Sequence, residues 1–350
     1  MPFILPGLGF NSRVLMKHEA VAGTAATGAA EHASEIVSAE VTPRLSSIID
    51  PSLSNTQRSS RFIGQGGKYY EWSVKVRAGY NGMLPWLRMM FPGYVGTTVD
   101  TSARDHTFKE IGTGSPAAGG QWSYTIDILW GNVPAGLPMR LIGAFATGMR
   151  FSAQAGTGEN AMLMCEITGV CKSVTPGLPS GALTTVALPT ALGVIYHQQA
   201  RTVGIFGDGT GVLADDIQMK SFECNITSPY DTQRFLFGQV DAEQPVPNGV
   251  MTVDFNMELE WTSIAQMTSM LNGGGSPVRF MFQHPVIIGA VSAKSEFEIK
   301  ALSPTASEYG TAIPGYGVVT QKLGHKCAYN SAEGTSVLIR TRSTDAAMTF

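Results

Sequence analysis

The sequence predicts a mainly β protein built as two related β-sandwich domains, each with one short flanking α-helix, joined by an irregular linker. Three observations point there. Residues 70–78 and 251–259 alternate apolar and polar side chains without a break, the period of a strand with one buried face. Each run passes into a short helical pattern that stops on glycine, at Gly93 and at Gly274. The two runs superpose at one constant shift, Tyr70 onto Met251 and Ala78 onto Leu259. A slip of one residue would have exchanged the faces, so the kept register marks an internal repeat.

The elements follow in order. Residues 1–35 carry the Ala/Gly/Thr-rich stretch "VAGTAATGAAEHAS" with no sustained period, and read as an N-terminal arm, either flexible or ordered against a neighbour. Residues 36–171 form the first β domain. Its strand puts Tyr70, Trp72, Val74, Val76 and Ala78 on one face and Glu71, Ser73, Lys75 and Arg77 on the other. Asn81 is placed to cap a helix whose apolar side holds Met83, Leu84, Leu87, Met90 and Phe91, with Pro85 in the first turn. Residues 92–121, rich in Gly, Pro and Thr, read as a long loop. Trp122, Tyr124, Ile126, Ile128 and Trp130 make a further alternating strand.

Residues 172–217 are rich in Pro, Gly and Thr and read as the linker. Residues 218–350 form the second domain, in which Thr262 takes the capping place of Asn81 and Ile264, Met267, Met270 and Leu271 the apolar helix face. A second echo joins "LIGAFATGMRFSAQA" (141–155) to "IIGAVSAKSEFEIKA" (287–301).

Composition narrows the function classes. The chain is 43% hydrophobic and only 15% charged, a surface suited to cover by partner subunits. A net charge of −3 holds no basic patch for tight nucleic-acid binding. The N-terminus lacks a signal-peptide pattern, and the run 182–196 is too short and too broken to span a bilayer, so no membrane insertion is expected. Cys165, Cys171, Cys224 and Cys327 show no CxxC spacing and read as reduced, half-buried thiols of a cytoplasm-made protein. No HExxH or GxSxG occurs, and "GDGTG" (207–211) lacks the Lys-Ser/Thr of a phosphate loop. Asp208, Asp215 and Asp216 fit no EF-hand spacing. No enzyme, no cofactor and no metal site is expected.

The segment "SFECNITSPYDTQRFLFGQVDAEQPVPNGVMTVDFNMELEWTS", followed by "IAQMTSMLNGG", resembles the major tail tube proteins of long-tailed, siphovirus-type bacteriophages. The earlier "IIDPSLSNTQRSSRFIGQGGKYYEWSVKVRAGYNGMLPWLRMMF" has the same look, and "DHTF" (105–108) resembles the strand entry that follows the helix there. The resemblance implies tail-tube-like sandwiches stacked as rings around a channel for DNA ejection. With two tube domains per chain it implies trimeric, pseudo-hexameric rings, with hexameric rings of single domains as the alternative. The implied partners are further copies of the chain, the tape measure, tail terminator and distal tail proteins, and double-stranded DNA in transit. The implied location is the virion tail, after synthesis in the host cytoplasm.

On that reading Asp254, Glu258 and Glu260, which share one strand face, are candidates to face the lumen, where acidic groups keep phosphate from sticking. Met83, Leu87, Met90, Ile264, Met267, Met270 and Leu271 are candidates for subunit contacts, against the plainer expectation that each helix buries its face on its own sheet. The competing class is another virion or surface β-sandwich, such as a distal-tail, decoration or carbohydrate-binding module. A binding module would need an exposed aromatic platform, whereas the aromatics here fall on core faces.

Overall fold

The computed structural model describes residues 12–49, 63–100, 102–110, 122–129, 138–158, 161–177, 183–184, 193–204, 219–235, 241–243, 245–260, 278–288, 293–312 and 319–346. It is mainly β, with antiparallel sheets and one α-helix among the described residues. The first half of the chain supplies β1 (Arg13–His18), β2 (His32–Glu35), β3 (Ser38–Ile49), β4 (Ile63–Arg77), α1 (Leu84–Met90), β5 (Gly93–Thr98), β6 (Arg104–Lys109), β7 (Tyr124–Leu129), β8 (Met139–Gln154), β9 (Met164–Cys171), β10 (Ser173–Pro176) and β11 (Ala200–Gly204). The second half supplies β12 (Met219–Thr227), β13 (Tyr230–Asp231), β14 (Val246–Pro247), β15 (Thr252–Glu260), β16 (Val278–Ile287), β17 (Lys294–Ala301), β18 (Pro304–Ala312), β19 (Thr320–Cys327) and β20 (Val337–Ser343).

Two sheets pack face to face. The large sheet runs β18-β19-β15-β12-β8-β9-β4-β3, and the smaller one runs β11-β16-β17-β20-β6-β5. The halves meet by strand pairs in both sheets, β12 on β8 in the large one and both β20 on β6 and β11 on β16 in the small. The sixteen-residue β8 forks the large sheet: its C-terminal part pairs β12 and β9, and its N-terminal part pairs β7 and β10. The strands β1 and β2 extend the fork beyond β7.

The alternating runs lie as their period requires. Trp72, Val74, Val76 and Ala78 are buried, as are Val253, Phe255, Met257 and Leu259. They enter one hydrophobic core that draws on both halves and both sheets. Phe280 of the small sheet stacks on Phe222 and Phe255 of the large one, with centroids 4.5 and 5.7 Å apart, and Phe151 meets Phe297 at 5.6 Å. Each such ring contributes about 1.5–3 kcal/mol on burial, so aromatic contact between sheets is a main source of cohesion.

Several expectations are corrected. Residues 92–121, read as a long loop, contain the hairpin β5–β6, whose turn is closed by Asp100 Oδ1 accepting from the N–H groups of Ser102 and Ala103 at 2.7 Å each. The two glycines of β5 and the charged residues of β6 weaken the local strand signal, and pairing of β6 with β20 supports the hairpin. Part of the expected N-terminal arm is the hairpin β1–β2, and the loop between them is held by buried Glu19, which accepts from the N–H groups of Gly23 and Gly143 and from Thr125 Oγ1. Asn81 does not cap α1: the cap position is Met83, with no side-chain bond, and Asn81 Nδ2 donates to Thr344 Oγ1 instead.

Both faces of β7 are buried, because Asp127 is neutralised by a two-bond ion pair with Arg140 at 2.7 Å and also accepts from the Leu183 N–H. The echo of 141–155 in 287–301 does not mark equivalent strands, since β8 belongs to the large sheet and β17 to the small. The stretch 172–217 includes β10 and β11, with isolated bridges from Thr184, Val194 and Tyr196 to Ala29, Gly79 and Met162.

Candidate functional site: the polar face of the large sheet

The face of the large sheet turned away from the core is polar from β3 through β4, β9, β8, β12 and β15 to β19. One row crosses the first half as Ser38, Lys75, Glu166 and Arg150, rung by rung through β3, β4, β9 and β8. The matching row of the second half is Glu223, Asn256, Gly324 and Glu308 through β12, β15, β19 and β18. From β3 through to β19 the period of two sends these residues outward while their neighbours fill the core.

Asp254, Glu258 and Glu260 all lie on this face of β15 and are half-buried. Asp254 is flanked by Asn225 and Lys326, and Glu258 by Ser221 and Lys322. Glu260 meets Lys220 at 3.8 Å. Arg150 bridges Glu223 at 2.5 Å and Glu166 at 3.9 Å. Burial alone would raise the Glu223 carboxyl, but hydrogen bonds from Asn225 and Arg150, with the Arg150 charge, hold it below the usual range. Acids and bases therefore alternate over the face. The bases Arg150, Lys322 and Lys326 are legible in hindsight: in "TQKLGHKC" Leu323 and His325 point inward, which sends Lys322 and Lys326 out.

The face is dished. Lys75, Ser152, Gln154, Glu223, Asn256, Glu258 and Lys322, with their neighbours, border one open groove of about 570 Å³ that runs across the strands. Among the described residues no group of three His, Cys, Asp or Glu could hold a metal ion. Asp208, Asp215 and Asp216 lie outside the described residues. Burial pushes the Cys165, Cys171 and Cys224 thiols up, and Cys327 to about 12, so none supplies a thiolate near neutral pH.

The helix residues behave differently from the subunit-contact expectation. Met83, Leu87 and Met90 are at most 3% exposed, and every residue of α1 is buried within the chain itself. Arg88, in the same helix, lies over the Trp122 ring at 3.9 Å, which gives a buried guanidinium an aromatic face. These side chains fill the chain's own core and leave no surface for a neighbour. Ile264, Met267, Met270 and Leu271 lie outside the described residues.

The described fold is a β-sandwich with a broad, dished face on which acids and bases alternate. The family model for the phage tail tube protein matches residues 9–313, nearly the whole chain, and the chain belongs to that family. No curated protein matches it. The chain is thus a structural component of the virion tail, which assembles with copies of itself into a tube alongside other tail proteins. No described helix is long and apolar enough to cross a membrane.

Proposed function

We propose that the chain is the major tail tube subunit of a long-tailed, siphovirus-type phage, a form with a duplicated tube domain. It polymerises as stacked rings whose channel passes double-stranded DNA on ejection. The observation that supports this best is the repeated strand order. In the second half the order β18-β19-β15-β12 sets the third, fourth, second and first strands of the unit side by side, and β8-β9-β4-β3 does the same in the first. The rungs agree as well: Phe151 faces Cys165, and Tyr309 faces Leu323, both pairs separated by the same 158 positions. The third strand of each unit bulges against the fourth, between Ala146 and Gly148 and between Ala306 and Glu308. Two units per chain make a trimeric ring pseudo-hexameric.

The dished polar face lines the channel in this reading, with Asp254, Glu258 and Glu260 interleaved with lysines and arginine. Such a wall neither captures phosphate nor repels it strongly, which suits passage of DNA. The tape measure, tail terminator and distal tail proteins are the expected neighbours, and host cytoplasm the site of synthesis. Electron microscopy of the purified protein tests the reading: stacked rings of three chains with an open channel are expected, and monomers persisting at high concentration would overturn it. The channel assignment has its own test. Asp254→Lys with Glu258→Lys turns the face basic and is expected to assemble yet slow DNA passage; full infectivity with confirmed incorporation would remove the electrostatic role.

A further inference from the structure

Three Asn-Gly steps occur in the sequence, at 81–82, 248–249 and 272–273, and the last lies outside the described residues. At such a step a chain readily reacts with itself. Glycine has no side chain to shield its backbone nitrogen, and its freedom lets that nitrogen swing toward the preceding carboxamide. The two described steps are held in opposite ways.

At Asn81–Gly82 the reacting groups are tied. The Gly82 N–H donates to Asp345 Oδ2 at 2.7 Å, and Asn81 Nδ2 donates to Thr344 Oγ1 at 2.9 Å. Gly82 is buried, and an amide anion formed there would lie against a carboxylate. Asn330, followed by a serine, is tied as well: its Oδ1 accepts from the N–H groups of Ala332 and Glu333, and its Nδ2 donates to Ser303 Oγ. At Asn248–Gly249 both residues are exposed. Among the described residues the step makes a single hydrogen bond, from the Asn248 N–H to the Pro229 carbonyl at 2.9 Å, which leaves the carboxamide and the Gly249 N–H to water.

We propose that Asn248–Gly249 is a self-modification site, at which the folded chain deamidates ahead of Asn81. The Gly249 nitrogen gives its proton to water and attacks Asn248 Cγ. The new C–N bond closes a succinimide ring, and the Cγ–Nδ2 bond breaks as Nδ2 leaves as ammonia. Water then opens the ring at either carbonyl, to aspartate or to isoaspartate, whose main chain is longer by a carbon. Either product carries a new negative charge, and no oxidant or reductant takes part.

The fold can absorb the change at this place. Upstream the chain is fixed by the rung of Tyr230 with Pro247, and downstream by the rung of Thr227 with Thr252. Between them Gly249 and Val250 are exposed, Val250 at 80%, and can take up the extra carbon while β15 keeps its register. The same lengthening at Asn81 would pull Gly82 off Asp345 beside the small-sheet joint.

Peptide mapping by mass spectrometry tests the proposal on the full folded chain, kept warm in mildly alkaline water enriched in heavy oxygen. The label marks each carboxyl group made during the incubation. One retained hydrogen bond separates rates by about tenfold, so Asn248 is expected to take up label about tenfold faster than Asn81 or Asn330. In the urea-unfolded chain Asn81 and Asn248 are expected to react at equal rates. Thr344→Ala, which frees the Asn81 carboxamide, is expected to speed Asn81 alone. A folded chain in which Asn248 keeps its amide while the unfolded chain loses it would overturn the proposal. So would Asn81 reacting as fast as Asn248 in the folded chain. The modified chain is expected to keep its melting temperature, and a fall that tracks the isoaspartate content would overturn the claim that the fold absorbs the change.

Discussion

In the first half, the Trp72 ring lies across Gly169: a Cβ on that glycine would sit 2.0 Å from the Phe145 carbonyl oxygen and 2.5 Å from the indole. In the second half the same rung of the strand order, one step beyond Asp254 and Lys326, holds Val253 and Cys327. One unit pairs the largest side chain with none, and the other pairs two of middle size. The volume of the pair is roughly kept while its distribution is exchanged, which is how cores tolerate change without losing strand order. The joints between the halves differ in another way. The β12–β8 joint is a backbone ladder crossed by one solvated ion pair, Arg150 with Glu223 at 2.5 Å. The β20–β6 joint adds Arg342 on Asp105 at 2.6 and 2.9 Å, with Arg340 and Arg342 also on Glu296. Both joints are backbone ladders, and the small-sheet joint carries the denser and more buried set of ion pairs.

The largest expected effect comes from forcing one half to resemble the other. Gly169→Cys should destabilise by more than about 3 kcal/mol in urea denaturation, because the clash is with backbone as well as the ring. Adding Trp72→Val should recover at least about 1 kcal/mol of that loss; strict additivity of the two changes would break the comparison. At the small-sheet joint, Asp105→Ala leaves Arg342 without its main partner. With side chains 20% and 18% exposed, a cost of about 2 kcal/mol is expected, below that of a fully buried pair.

Acid should act on the two joints with opposite sign. Glu223, beside the large-sheet joint, has a folded pKa below its unfolded one. Its contribution is complete above the ordinary carboxylate range and is lost as pH falls through the lowered value. Asp345 accepts from the Gly82 N–H next to the small-sheet joint, and burial raises its pKa despite that bond. Its charged form is a burden at neutral pH, relieved as pH falls through the raised value. Melting curves across pH should therefore show Glu223→Gln costing stability at neutral pH and little in acid. Asp345→Asn should gain stability at neutral pH and gain nothing in acid. The smallest effect is expected for Arg150→Ala, at most about 1 kcal/mol by denaturation, since its carboxylate partners are also solvated.

The parts legible in the sequence were those where one physical signal decides. Unbroken alternation at 70–78 and 251–259 meant one buried face, and the conserved phase between them carried over to the strand order. The β5–β6 hairpin is not legible, because the glycines of β5 and the charges of β6 blur the alternation and the pair is held by β20, more than two hundred residues away. Asn81 has the chemistry of a helix cap, but Thr344 claims its side chain, and a local reading cannot see a competitor so distant. The acidic residues of β15 are legible in the sequence and their neutralising neighbours are not, because ion pairs such as Lys220–Glu260 and Arg150–Glu223 form across strands. The helix methionines had the right period for contact, and the period does not say whose core they enter.

The ladder between β6 and β20 joins Asp105 to Arg342 across 237 positions of chain. Closing so long a loop adds little to the entropic cost, which grows only with the logarithm of length, but it slows the closing itself. Hairpins such as β16–β17 and β18–β19 have their partners at hand and form early. For an interval, then, β17 and β6 present bare edges to each other and to every other edge in a crowded cell. The ion pairs that bridge β17, β20 and β6 add side-chain selectivity to a ladder whose backbone alone would accept another edge.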